Sequence, residues 1–167
     1  MKKTWPEILN WELRGLEKLI VLGTGNALKA DDAAGLLVAS ILDHHLSRYQ
    51  KSKIKVFRAY EIIDQYLKKI KRLKPTHLII VDALDFKSQP GSIMVTRIDL
   101  NQKRRKKIGG EFYDFLAQLR AESACKLMFI GIQPQSLDFG HPVTPAIKEA
   151  CRQVANFLNQ LLPRKTG

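Results

Sequence analysis

Four acidic or amide side chains stand where chemistry can be built. In "IVLGTGNALKADDAAG", Ile20 to Gly35, an apolar run leads through Gly25 and Asn26 to the adjacent carboxylates Asp31 and Asp32. A further carboxylate, Asp82, ends the apolar run in "THLIIVDAL". The helix macrodipole favours an acid in the first turn of a helix by about 0.3–1 kcal/mol, and one aspartate there can serve as N-cap. That explains one acid of the loop, not two together with Asp82. If the strands that carry them are neighbours, Asp32 and Asp82 converge on one crevice. Their mutual repulsion then invites a divalent cation. The competing reading is a structural cap plus a carboxylate that pairs within the fold. Phosphate binding suits the loop less well: a dinucleotide pattern starting at Gly23 requires glycine where Leu28 stands, and no Gly-Lys-Ser/Thr follows. Paired carboxylates would also repel a phosphate.

Whether the acids meet depends on the elements that hold them. "KLIVLG", Lys18 to Gly23, is a continuous apolar run ending in glycine, which suits a strand buried on both faces. From Ala33 to Tyr49 the apolar spacing predicts one helix, and "KIKVFRAY" alternates as a strand nearer an edge. Ile62 to Leu73 has a helical pattern that stops before Lys74-Pro75. "THLIIVDAL" is the second central strand. "SIMVTRI", Ser92 to Ile98, follows after a connection too short for a parallel crossover, so it is predicted to run antiparallel. "EFYDFLAQLR" is a short helix and "KLMFIGIQP" a third central strand. Thr144 to Leu162 is a final amphipathic helix, with Thr144 as N-cap and Pro145 at its first position. Thr4 to Arg14 adds a short leading helix. Alternating elements of this kind make an α/β fold, a three-layer α/β/α sandwich, in which ligands bind outside the carboxyl ends of the strands.

The 167 residues read as one domain, residues 1–167, with 1–17 as an extra N-terminal segment. No internal repeat or linker divides it. No apolar run reaches the roughly 20 residues of a membrane span, so a cytoplasmic protein without membrane contact is expected. The formal charge is +12, concentrated in "KKIKRLK" (Lys68 to Lys74) and "KRRKK" (Lys103 to Lys107). Aromatic residues do not interleave with these runs, which argues against a nucleic-acid platform; solvated faces or an acidic protein partner fit the charge. Cys125 and Cys151, placed in a buried strand and a helix, lack metal-ligand spacing and read as core residues. No long exposed apolar stripe is evident, and a monomer is expected.

"GTGNALKADDAAG" resembles the G-x-G-N-x-L-x-x-D-[DE]-x-x-G signature of the hydrogenase maturation endopeptidases, which trim the C-terminal extension from the large subunit of nickel-iron hydrogenases. "HLIIVDALDFKSQPGSIMV" resembles the second signature of that family, an apolar strand ending in Asp-Ala with Pro-Gly before the next strand. "FIGIQPQSLDFGHPVTPAIKEA" resembles the third. The similarity spans Lys18 to Leu162 and is greatest to members serving hydrogenases of the formate-hydrogenlyase type. It implies a five-stranded mixed sheet in the order 2-1-3-5-4 with strand 4 antiparallel. It also implies that Asp32 and Asp82 are the two catalytic carboxylates that share the metal site with a histidine, and that Gly25, Asn26 and Asp31, the aspartate preceding the ligand, lie beside the metal on the substrate side. No permanent cofactor is implied: the metal is nickel already carried by the hydrogenase precursor, so that cleavage checks metallation. A metal held by carboxylates polarises the scissile carbonyl and activates water. Serine or cysteine nucleophiles are not offered at any matching position.

Two stretches depart from the family pattern. Its histidine position aligns with Ile108 in "KKIGGEFYDF", and there is no histidine between His77 and His141. Glu111 can replace it only at a cost in selectivity for nickel. "RAYEIID", Arg58 to Asp64, stands where many members carry an Asp-Gly-Gly turn. His44, His45, His77 and His141 read as surface or structural residues. A relative that binds metal or hydrogenase without cutting is therefore the alternative expectation.

Overall fold

The three uninterrupted apolar runs form the middle of one sheet. In a computed structural model describing residues 3–60, 64–101 and 110–162, the strands are β1 (Leu19–Thr24), β2 (Ile54–Ala59), β3 (His77–Ala83), β4 (Ile93–Arg97) and β5 (Lys126–Ile132). Their order is β2-β1-β3-β5-β4. All pairings are parallel except β4 with β5, which is antiparallel. The short link from Leu84 to Ser92 dictates this: a chain that reverses without a crossover must return antiparallel.

Successive strand residues point to opposite faces, so a run without polar breaks must be covered on both. Val21, Ile79 and Met128 face the layer formed by α1 (Trp5–Glu12), α2 (Ala34–His45) and α6 (Pro145–Gln160), against Leu9, Val38, Leu42, Val154 and Leu158. Ile20, Leu22, Leu78 and Ile80 face the opposite layer, α4 (Asp64–Leu73) and α5 (Gly110–Ser123), against Ile70, Leu116 and Leu119. The three-layer sandwich follows. Among the described residues, no helix is long and apolar enough to cross a membrane.

The helix expected from Ala33 to Tyr49 is broken. α2 ends at His45, and a separate α3 (Arg48–Lys53) follows. Ser47 starts it: its Oγ accepts from Gln50 N–H at 3.2 Å, while Gln50 Oε1 accepts from Ser47 N–H at 2.9 Å. This reciprocal pair outweighs continued apolar spacing. Buried Gln50 also donates to the carbonyls of Asn159 (2.7 Å) and Leu162 (2.9 Å) at the end of α6. Cys125 lies just before β5 instead of within it, and both cysteines are buried and free.

Candidate metal centre

The carboxyl ends of β1 and β3 lie side by side, with Gly23 paired to Val81. The chain leaving β1 passes Gly25, whose φ of +139° is unfavourable for other residues. A Cβ there would also lie 1.9 Å from the Asp32 carbonyl oxygen, so the loop closes on itself only with glycine. Asn26 N–H donates to Asp32 Oδ2 at 3.2 Å, and Asn26 Oδ1 accepts from Leu28 N–H at 2.9 Å. Gly25 and Asn26 thus shape the turn that presents half-buried Asp32. Close packing fixes this turn over the sheet. A Cβ on Gly35, in the first turn of α2, would meet the Val81 carbonyl oxygen at 2.0 Å and that of Thr24 at 2.4 Å.

Asp82 is half-buried at the end of β3. Burial lifts its pKa from the ordinary 3.8 to about 6, and the negative charge of Asp32 pushes in the same direction. The Thr24 hydroxyl and the Ala83 N–H, the latter 2.8 Å from Asp82 Oδ1, pull the other way. Thr24 has a single hydroxyl proton to divide between Asp82 and the Val81 carbonyl, 3.2 Å away. Its help is therefore partial, and desolvation wins. The structure thus brings Asp32 and Asp82 within electrostatic reach of each other at one end of the sheet.

Asp31 faces the other way. Expected on the substrate side, it is completely buried in a 3-10 turn (Ala30–Ala33). Its Oδ2 accepts from the N–H groups of Gln135 (2.8 Å) and Ser136 (2.9 Å), and its Oδ1 from Thr144 N–H (2.7 Å). The Thr144 hydroxyl lies 3.0 Å from both oxygens. Thr144 precedes α6 as expected, but its hydroxyl serves Asp31 instead of capping the helix itself. Asp31 is therefore a clamp between the loop after β1 and the loop after β5. Gln133, just after β5, also braces the site. Its buried Oε1 accepts from Phe86 N–H (2.9 Å) and Ser88 N–H (3.2 Å), tying the segment after Asp82 to the sheet. Its signal in the sequence is its place in the "GIQP" that ends the third apolar run and belongs to the third signature.

Two oxygen donors suit a hard or borderline divalent cation but do not complete a site. Among the described residues, no three His, Cys, Asp or Glu side chains gather as ligands. Ile108 and the side chain of Glu111 lie outside the described residues, as do Glu61 to Ile63 of the "RAYEIID" stretch. His77 begins β3 and is buried; desolvation and neighbouring Lys126 hold its pKa below the usual value. His44 and His45 close α2, and His141 is exposed in the loop before α6. An open groove of about 560 Å³ between α2 and α6, lined by Leu37, Ile41, His44, His45, Lys148 and Arg152 among others, includes neither acid.

The profile of the hydrogenase maturation protease family matches residues 41–160. The hydrogenase 3 maturation protease of Escherichia coli K12 is 29% identical over 136 residues, covering 81% of this chain and 85% of that protein. The solution structure of an endopeptidase, HycI, from Escherichia coli superposes with a TM-score of 0.67 at 28% identity, over 85% of this chain and 89% of that one. The crystal structure of a NiFe hydrogenase maturation protease from Thermococcus kodakarensis KOD1 gives a TM-score of 0.78 over 92% of this chain and 97% of that one; at 22% identity it bears on the fold alone.

Proposed function

The chain belongs to the hydrogenase maturation protease family, and on that footing we propose that it is an endopeptidase that removes the C-terminal extension of a nickel-iron hydrogenase large-subunit precursor after nickel insertion. What supports the reading is geometry: the turn that carries Asp32 is packed over the adjoining carboxyl ends of β1 and β3, and Asp82 stands at the end of β3. Nickel belongs to the substrate, and its Lewis acidity polarises the scissile carbonyl. The chain contributes the rest. Asp32 and Asp82 grip the incoming cation with oxygen donors, and the turn of Gly25 and Asn26 holds Asp32 in place. With both carboxylates engaged on the cation, Asp32 or Asp82 orients the water, which gives up a proton as its oxygen adds to the carbonyl carbon. The same proton passes to the departing amine as the C–N bond breaks. The enzyme works as a monomer in the cytoplasm and needs no resident cofactor.

The test is incubation of nickel-loaded precursor with wild type and with Asp32→Asn. Loss of the tail with wild type alone is expected; equal cleavage by both rejects the role of Asp32. A second reading, a chaperone that binds the precursor without cutting it, is favoured by the lack of a third ligand among the described residues. It predicts stable complex formation and an intact tail in both reactions.

A further inference from the structure

The two loops clamped by Asp31 display large apolar side chains to solvent. Leu28, in the loop after β1, is 60% exposed; Leu137 and Phe139, in the loop after β5, are 53% and 69% exposed. These side chains are not on separate flaps. Gly140 N–H donates to the Leu28 carbonyl at 2.8 Å, and Asp31 N–H to the Ser136 carbonyl at 3.1 Å. The buried Asp31 carboxylate holds Gln135, Ser136 and Thr144 from beneath. The Ser136 hydroxyl, 2.8 Å from Asp138 Oδ2, also accepts from Asp138 N–H at 3.1 Å, stiffening the turn between Leu137 and Phe139.

A fully buried charge is costly, and here its hydrogen bonds go to exposed loops instead of the core. Fixing three large apolar groups in water gains nothing for the isolated chain, because their hydrophobic contribution arises only when they are covered. Preordering them lowers the entropy that a partner's arrival would otherwise cost. One residue of the rim also belongs to the turn of the acid, since Asn26 bonds both Leu28 and Asp32.

We propose that Leu28, Leu137 and Phe139 form the docking rim for an apolar stretch of the precursor polypeptide next to the scissile bond, placing that bond over Asp32 and Asp82. This deepens the peptidase reading and rests on it. Position argues for the substrate as occupant: Leu28 stands in the turn that holds Asp32, and its carbonyl is bonded to the loop of Leu137 and Phe139.

The experiment combines Leu28→Ser, Leu137→Ser and Phe139→Ser and compares the triple variant with wild type, using nickel-loaded precursor. Phe139→Ser alone is the second variant, and thermal melting is the folding control. All three side chains are exposed, so an unchanged melting temperature is expected. KM should rise by at least about tenfold in the triple variant, the loss expected when apolar area no longer leaves water. A smaller rise is expected for Phe139→Ser, with kcat nearly unchanged in both. An unaltered KM overturns the rim while leaving the peptidase reading intact. If wild type binds precursor without cutting it and the triple variant loses binding, the peptidase reading falls and the rim stands. If wild type neither binds nor cuts, both fall. A wild-type homodimer that the triple variant dissolves, with precursor binding unaltered, assigns the rim to a second copy and overturns the proposal.

Discussion

Asp82→Asn should stabilise the metal-free protein at neutral pH while abolishing cleavage. Burial, reinforced by the charge of Asp32, raises the Asp82 pKa from 3.8 to about 6 in the folded chain. The native state therefore holds this proton more tightly than the unfolded state. Between about pH 4 and 6 the native state binds more protons, so stability falls as pH rises through the window, and above it the cost is constant. A tenfold gain in proton affinity corresponds to about 1.4 kcal/mol. The rise at Asp82 therefore costs about 3 kcal/mol, or closer to 2 once the solvent reaching this half-buried group is counted. Asn carries no charge to desolvate and keeps an oxygen to accept the Ala83 N–H. In chelator, urea unfolding at pH 8 should favour Asp82→Asn by about 2 kcal/mol, equivalent to roughly 4–8 °C in Tm for a domain of this size. Most of the gap should close by pH 4, where the native carboxylate is protonated and the unfolded one is partly so. A divalent cation should stabilise wild type and not the variant. A variant less stable than wild type at pH 8, or a gap that does not change between pH 8 and 4, would refute the account of two acids confined in a desolvated crevice.

Three further outcomes are expected. Asp31→Ala strands the buried N–H groups of Gln135, Ser136 and Thr144, and the urea midpoint should report a loss of at least about 3 kcal/mol, with Asp31→Asn falling between it and wild type. Gly35→Ala drives a methyl group to 2.0 Å from the Val81 carbonyl oxygen and should cost about 3 kcal/mol or more, read as a sharply lowered Tm or failure to recover folded protein. Burial pushes the thiols of Cys125 and Cys151 up to about 12, so a disulfide reagent at pH 8 should titrate both only after denaturant is added; rapid labelling of the native protein would contradict their burial.

Much of the architecture was legible from residue order alone. Runs such as Leu19 to Leu22 and Leu78 to Val81 contain no polar residue, and a strand of that composition must be covered on both faces, which requires helices above and below. The short link after Asp82 forced β4 to run antiparallel, and an acid directly after a buried run had to emerge at the end of a strand. Helix breaking was less legible. The Ser47 and Gln50 pair was present in the sequence, but its local hydrogen bonds competed with an apolar spacing that suggested a continuous helix.

The division of labour between Asp31 and Asp32 belonged wholly to the folded chain. Adjacent in sequence and alike in chemistry, they differ because a tight turn sends their side chains in opposite directions. One meets amide donors 104 or more residues along the chain, and the other meets Asn26 and the charge of Asp82. Residue type decides what a carboxylate can accept. Which donors, charges and solvent it finds depends on segments brought together only when the sheet closes, and no local pattern encodes that meeting.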